Sequence, residues 1–150
     1  MHIGNSKTYR VGAIGLLLLL MPLGSANAAG LTISDAWIRA MPAGIPAGGY
    51  FTLHNSGGKT VILTGANSPA CGMLMLHQSE NMGGMMKMDD IASVEVPAGG
   101  TVRFSPGGYH LMCMNPTSAI KPGGKVPVVL EFSDGVKFPA EFSVRSASGR

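Results

Sequence analysis

From residue 31 onward, apolar and polar positions come in short runs, each cut off by Gly, Pro, Asn or Asp. LTISDAWIRA (31–40), YFTLHN (50–55), TVILTGANS (60–68), ACGMLMLHQ (70–78) and GMMKMD (84–89) read as strands. So do ASVEV (92–96), TVRFS (101–105), YHLMCM (109–114), VPVVLEF (126–132) and KFPAEFSVR (137–145). TVRFS and KFPAEFSV alternate with period two, so one face of each packs and the other is wet. Pro139 cannot donate to a ladder and predicts an edge or a bulge. MPAGIPAGG (41–49) reads as a loop, and Ser56-Gly57-Gly58-Lys59 and Ser133-Asp134-Gly135 as turns. PAGG occurs twice, each time between strands, as turn chemistry. No stretch carries a helical period of useful length. The pattern predicts one all-β domain, a sandwich or barrel, with SASGR (146–150) as a disordered tail.

The first residues follow another pattern. MHIGNSKTYR carries Lys7 and Arg10, an apolar run of eleven follows (11–21), and Ala26-Asn27-Ala28 closes the segment. A span of bilayer needs about 20 apolar residues. A basic start, a short apolar stretch and a small-x-small end predict a secretory signal peptide over 1–28, with 29–150 as the mature domain. No second run is long enough to span a membrane, so no insertion is expected after cleavage. In a bacterium this places the domain in the periplasm.

Without Lys7 and Arg10, eleven basic residues become nine against eight acidic ones, so the formal charge falls from +3 to +1. No Lys/Arg cluster remains, which argues against nucleic acid or an anionic membrane as partner. Cys71 and Cys113 are the two cysteines, and they do not form C-x-x-C. An oxidising compartment permits a Cys71–Cys113 disulfide; two buried thiols are the alternative.

Composition changes the picture most between 73 and 114. Eight of the chain's eleven methionines lie there, with His77, His110 and Cys113, and Cys71 stands just before them. Thioether sulfur is neutral and soft, and among biological metals it favours Cu(I); imidazole also suits copper. Calcium and magnesium want oxygen, and zinc rarely takes methionine. Thioethers do not form disulfides and need no deprotonation, so they suit Cu(I) outside the cytoplasm.

In an extended YHLMCM, His110, Met112 and Met114 share one face, while Tyr109, Leu111 and Cys113 share the other. His110 and Met112 can converge on one ion, and Cys113 points away. His77 and a methionine from 82–88 are the candidates to complete the set. Met73 and Met75 are expected in the core, and Met114 in core or rim packing. Met82, Met85 and Met86 are either auxiliary ligands or an exposed hairpin.

His77, ten residues, Met88, twenty-one residues, His110, one residue, Met112 spells H-x10-M-x21-H-x-M. This motif resembles that of the PCuAC family of periplasmic copper chaperones, named for supplying the CuA centre of cytochrome c oxidase. MLMLHQSE, GGMMKMDDIASVEVPAGGTV, PGGYHLMCM and DAWIRA are similar to its consensus, and the resemblance covers about residues 31–145. It implies a cupredoxin-like Greek-key β-barrel or sandwich. It also implies a monomer that binds one Cu(I) through His77, Met88, His110 and Met112, with Met85 and Met86 as possible auxiliaries. The implied recipient is oxidase subunit II, with a Sco-type thiol protein assisting, and no catalysis is expected. Many members that the chain resembles carry a longer Met/His-rich tail, and this chain stops at SASGR.

A blue-copper electron carrier is the first alternative, since such sites use Cys, two His and Met. A metal-free interaction sandwich is the second. Among enzymes, a copper oxidase or thiol oxidoreductase lacks a second metal, an acid/base pair and C-x-x-C.

Overall fold

A computed structural model describes residues 30–150, so the signal peptide expected over 1–28 lies outside the described residues. Ten strands and no helix make up the described residues. They are β1 (Leu31–Arg39), β2 (Ala47–Asn55), β3 (Val61–Asn67), β4 (Cys71–Met82), β5 (Met85–Asp90), β6 (Val94–Val96), β7 (Thr101–Phe104), β8 (Tyr109–Pro116), β9 (Lys125–Phe132) and β10 (Lys137–Arg145).

The strands form one continuous sheet in the order β5-β4-β8-β7-β2-β1-β10-β9-β3-β6, with β8 also paired to β2. All pairings are antiparallel except β1–β10 and β7–β8. The sheet curls, so that β3, near one end of the order, packs on β4, near the other. Asn55 ties β2 to β6: buried, it donates to Val96 O (3.1 Å) and to Lys59 O (2.7 Å). The core lies inside the roll, around Phe51, Phe104 and Phe142. Phe51 stacks on Phe104 with centroids 4.3 Å apart and meets Phe142 edge-on at 5.7 Å. Each such ring contributes about 1.5–3 kcal/mol by burial.

Three differences from the sequence reading have local causes. β2 begins at Ala47, inside the predicted loop, because Ala47, Gly48 and Gly49 pair with Cys113, Met112 and Leu111. Pro139 lies in β10, which has neighbours on both sides in the order. β1 pairs only with Ser143–Arg145, however, so Pro139 is paired to β9 alone and its missing N–H faces no ladder. Residues 146–150 form a turn instead of a disordered tail. Ser146 donates to Arg150 O (2.7 Å), Gly149 donates to Ser146 O (2.8 Å), and Gly149 lies against the Trp37 ring.

Cys71 at the start of β4 and Cys113 in β8 form a disulfide, with Cα atoms 5.4 Å apart and a sequence separation of 42. It cross-links the two strands whose pairing positions the candidate residues below. A loop of this length constrains the unfolded chain, so the bond stabilises by about 2–4 kcal/mol. The double variant Cys71→Ala/Cys113→Ala is therefore expected to lose about that much unfolding free energy, read as a lower guanidinium midpoint. An unchanged midpoint in the denaturation curve would contradict this.

Candidate metal centre

β4 and β8 pair antiparallel in an unbroken register: Met73 opposite Met114, Leu74 opposite Cys113, Met75 opposite Met112, Leu76 opposite Leu111 and His77 opposite His110. Burial shows which face is which. Leu74, Leu76, Leu111 and Cys113 are at most 8% exposed and belong to the core. His77, Met75 and Met73 line the other face of β4, opposite His110, Met112 and Met114 of β8. Met73 is 57% exposed and Met75 half-buried, so neither is the core residue expected from MLMLH.

The two imidazoles sit edge to face, with centroids 5.5 Å apart. His110 is 4% exposed, and its Nδ1 lies 3.1 Å from Gly108 O. A carbonyl only accepts, so Nδ1 carries the proton and Nε2 of the neutral ring keeps its lone pair. That Nε2 is buried without a partner. Holding one ring nitrogen through a backbone carbonyl while the other stays free is the arrangement of a metal-ligating histidine. Both ring nitrogens of His77 are also buried without a well-aligned hydrogen bond. Asp90 Oδ1 lies 2.6 Å from His77 Nε2, too far out of line with the ring N–H to count as one.

β4 runs on past the predicted strand end to Met82 and turns into β5 at Gly83-Gly84. Both glycines have positive φ (63° and 91°), as a two-residue hairpin loop requires, and Gly84 N–H donates to Asn81 Oδ1 (3.0 Å). The register places Met88 opposite Ser79, Met86 opposite Asn81 and Asp90 opposite His77, on the face of His77. Met85 is opposite Met82 on the reverse face of the hairpin, 76% exposed. Parity therefore places Met85 on the face away from His77 and Met86 on the face of His77.

Met88, Met86, His110 and Met112 line one cavity of about 260 Å³ with Ser79, Arg39 and Tyr50. His77 is not in the lining; it flanks His110 from the next strand. The floor depends on Gly48, opposite Met112 in β2. A Cβ there would come within 2.4 Å of the Tyr50 hydroxyl, so only glycine lets Tyr50 fold over β2. Tyr50 is buried between Trp37 (4.6 Å) and His110 (6.5 Å). Arg39 lies against the rings of Trp37 and Tyr50, with its Nε buried and unpartnered.

The donors fit a soft cation. Among the described residues, no three His, Cys, Asp or Glu side chains are grouped to hold a metal; the donors gathered around His110 are imidazole and thioether. Two neutral imidazoles and two thioethers suit Cu(I). Both cysteines are spent in the disulfide, and Cys113 faces the core. No thiolate is left for a blue-copper centre.

Comparison with known proteins places the family and the fold. The family described as "Putative lipoprotein LpqE-like" matches residues 31–144. The chain belongs to the LpqE-like family. A relative in Leifsonia xyli subsp. xyli, "Putative lipoprotein Lxx21020", is 36% identical over 124 residues, covering 82% of this chain and 74% of that one. The LpqE-like chain also resembles solved PCuAC structures. Cu(I)-bound DR1885 of Deinococcus radiodurans is 29% identical, with TM-score 0.63, over 80% of this chain and 83% of that one. The copper-bound PCuAC domain of PmoF2 is 19% identical, with TM-score 0.63, over 78% and 93%. The fold is thus all-β and of the cupredoxin-like PCuAC type.

Arg39, Tyr50, Gly48 and Asp90 were not read as site residues. Arg39, Gly48 and Tyr50 come from β1 and β2, distant in sequence, and only the β8–β2 and β2–β1 pairings bring them in. Asp90 was within reach, because a GG turn between two alternating runs fixes its register opposite His77.

Burial lowers the pKa of His110 below its ordinary 6.5; the Gly108 carbonyl opposes this, and nearby His77 adds to the lowering. A proton then binds the unfolded chain more readily than the folded one. The His110 contribution to stability is complete above pH about 6.5 and is lost as pH falls through the lower folded value. An NMR titration of the metal-free protein is expected to show a His110 midpoint below 6.5. A His110 titration above that pH would contradict this.

Proposed function

We propose that this protein is an extracytoplasmic Cu(I) carrier, binding one ion per monomer through His77, Met88, His110 and Met112. The observation that carries the reading is the buried, unpartnered Nε2 of His110, in one cavity with the thioethers of Met88 and Met112. The likeness to Cu(I)-bound DR1885 supports it, as does the H-x10-M-x21-H-x-M spacing. The recipient in this reading is the CuA site of cytochrome c oxidase subunit II, with a Sco-type thiol protein assisting. The protein acts without catalysis.

Release runs by ligand exchange. Met88 is 58% exposed on a two-stranded hairpin, whereas His110 is buried in the sheet. An incoming sulfur or imidazole therefore displaces Met88 first, and His110 lets go last. The leaving thioether takes up no proton, and an incoming thiol gives up its proton as it binds as thiolate.

The relatives' lipoprotein names and the apolar 11–21 run support export across the inner membrane to the periplasm. The two cysteines of this chain are both in the disulfide, so neither offers a thiol for a lipid. A cleaved signal peptide is the route this reading favours.

Anaerobic competition of the full chain against a Cu(I) chelator tests the site. His110→Ala is expected to weaken binding by at least about ten-fold, the lower bound for disturbing a metal site's ligand support. Met88→Leu is expected mainly to speed copper loss to the chelator. A metal-free interaction module predicts no Cu(I) uptake and no effect of His110→Ala. An electron carrier predicts an intense blue Cu(II) form. Either result would overturn the proposal.

A further inference from the structure

Many solvent-facing positions elsewhere on this sheet are polar, such as Thr101 and Arg103 on β7, Lys137 and Glu141 on β10 and Lys125 on β9. The outer face of β4 and β8 departs from that pattern. Below the His77–His110 row come two rows made only of methionine, Met75 opposite Met112 and Met73 opposite Met114. Met73 is 57% exposed, and Met75 and Met114 are half-buried. These side chains do not fill the core, which on these strands is built by Leu74, Leu76, Leu111 and Cys113.

We propose that Met73, Met75 and Met114 form a second, all-thioether site for a soft monovalent cation, Cu(I) or Ag(I), beside the His/Met centre. Opposite residues in an antiparallel pair have Cβ atoms about 4.5–5.5 Å apart, and diagonal neighbours about 7–8 Å, within reach of long side chains. Met73 and Met114 are opposite, Met75 is two residues along β4, and Met75 and Met114 are diagonal. Three flexible thioethers on such a triangle can turn their sulfurs onto one ion. Neutral sulfur without charge or imidazole selects a soft monovalent cation over zinc, calcium or magnesium.

The backbone under the triangle is held rigid. The Cys71–Cys113 disulfide joins the same two strands at the same level. Just beyond it, a Cβ on Gly72 would lie 3.0 Å from the Asn115 Cβ, so β4 and β8 approach closely there. Met112 stands between the two sites, in the row shared with Met75. An ion passing from one site to the other therefore needs only a change of partners around Met112. The second site uses none of His77, Met88, His110 or Met112, so it stands or falls separately from the first.

The test is anaerobic Ag(I) titration of the full chain carrying 13C-labelled methionine methyl groups, read by NMR and by bound-metal stoichiometry. Two equivalents are expected, one shifting the methyls of Met88 and Met112, the other those of Met73, Met75 and Met114. Met73→Leu/Met75→Leu/Met114→Leu keeps side-chain volume on an outer face and is expected to lose one equivalent with an unchanged thermal midpoint. His77→Ala/His110→Ala is expected to lose the other. Two equivalents retained by the triple leucine variant would overturn the second site. A single wild-type equivalent, lost in the histidine variant, would overturn it too while leaving the first site intact. A single equivalent that survives the histidine variant and vanishes in the leucine variant would support the thioether site and remove the first.

Discussion

The pairing of β4 with β8 is the constraint on which the rest depends. Side chains alternate faces with period two, so a slip of one residue would exchange the two faces of a strand. In the observed register, Leu74, Leu76, Leu111 and Cys113 enter the core while both histidines and four methionines face out. A slipped strand would expose leucine and bury imidazole and thioether. The hydrophobic core thus enforces the geometry of the polar face, and the Cys71–Cys113 bond fixes the same two strands covalently. The residue that looks most like metal chemistry, Cys113, acts here as structure.

On this frame the donors differ in how firmly they are held. His110 is locked by burial and by the Gly108 carbonyl, and His77 is seated between His110 and Asp90. Met112 lies on the same strand as His110, beside the floor formed by Gly48 and Tyr50. Met88 sits on a hairpin whose methionines are all more than half exposed. One side of the cavity is rigid and preorganised, and the other is soft and accessible. A carrier that must hold an ion and then surrender it benefits from that asymmetry. Nearby Arg39 adds a positive charge in the cavity wall, which opposes a divalent ion more than a monovalent one.

Much of this was legible in the sequence, for identifiable reasons. Strand parity in YHLMCM places His110 with Met112 and sends Cys113 away without reference to the fold, because period two is local. The all-β class followed from run length and Gly/Pro punctuation. MLMLH was misread: with no charged residue on either face, alternation alone does not say which side is wet, and Met73 and Met75 were assigned inward. Met85 and Met86 are neighbours in sequence, and the register puts them on opposite faces of β5. Arg39 and Tyr50 were out of reach, since they meet His110 only through pairings of β8 with β2 and of β2 with β1. The tail looked free because its glycine and serines carry no apolar signal, yet Gly149 packs on Trp37 through its backbone.

The central claim is that imidazole from the paired strands and thioether from the exposed hairpin meet on one ion. X-ray absorption of the full chain loaded with a single equivalent of Cu(I) reads that meeting directly. The account predicts a first shell of both nitrogen and sulfur, with the sulfur contribution reduced in Met88→Leu. A first shell without sulfur, or one indifferent to Met88, would contradict it.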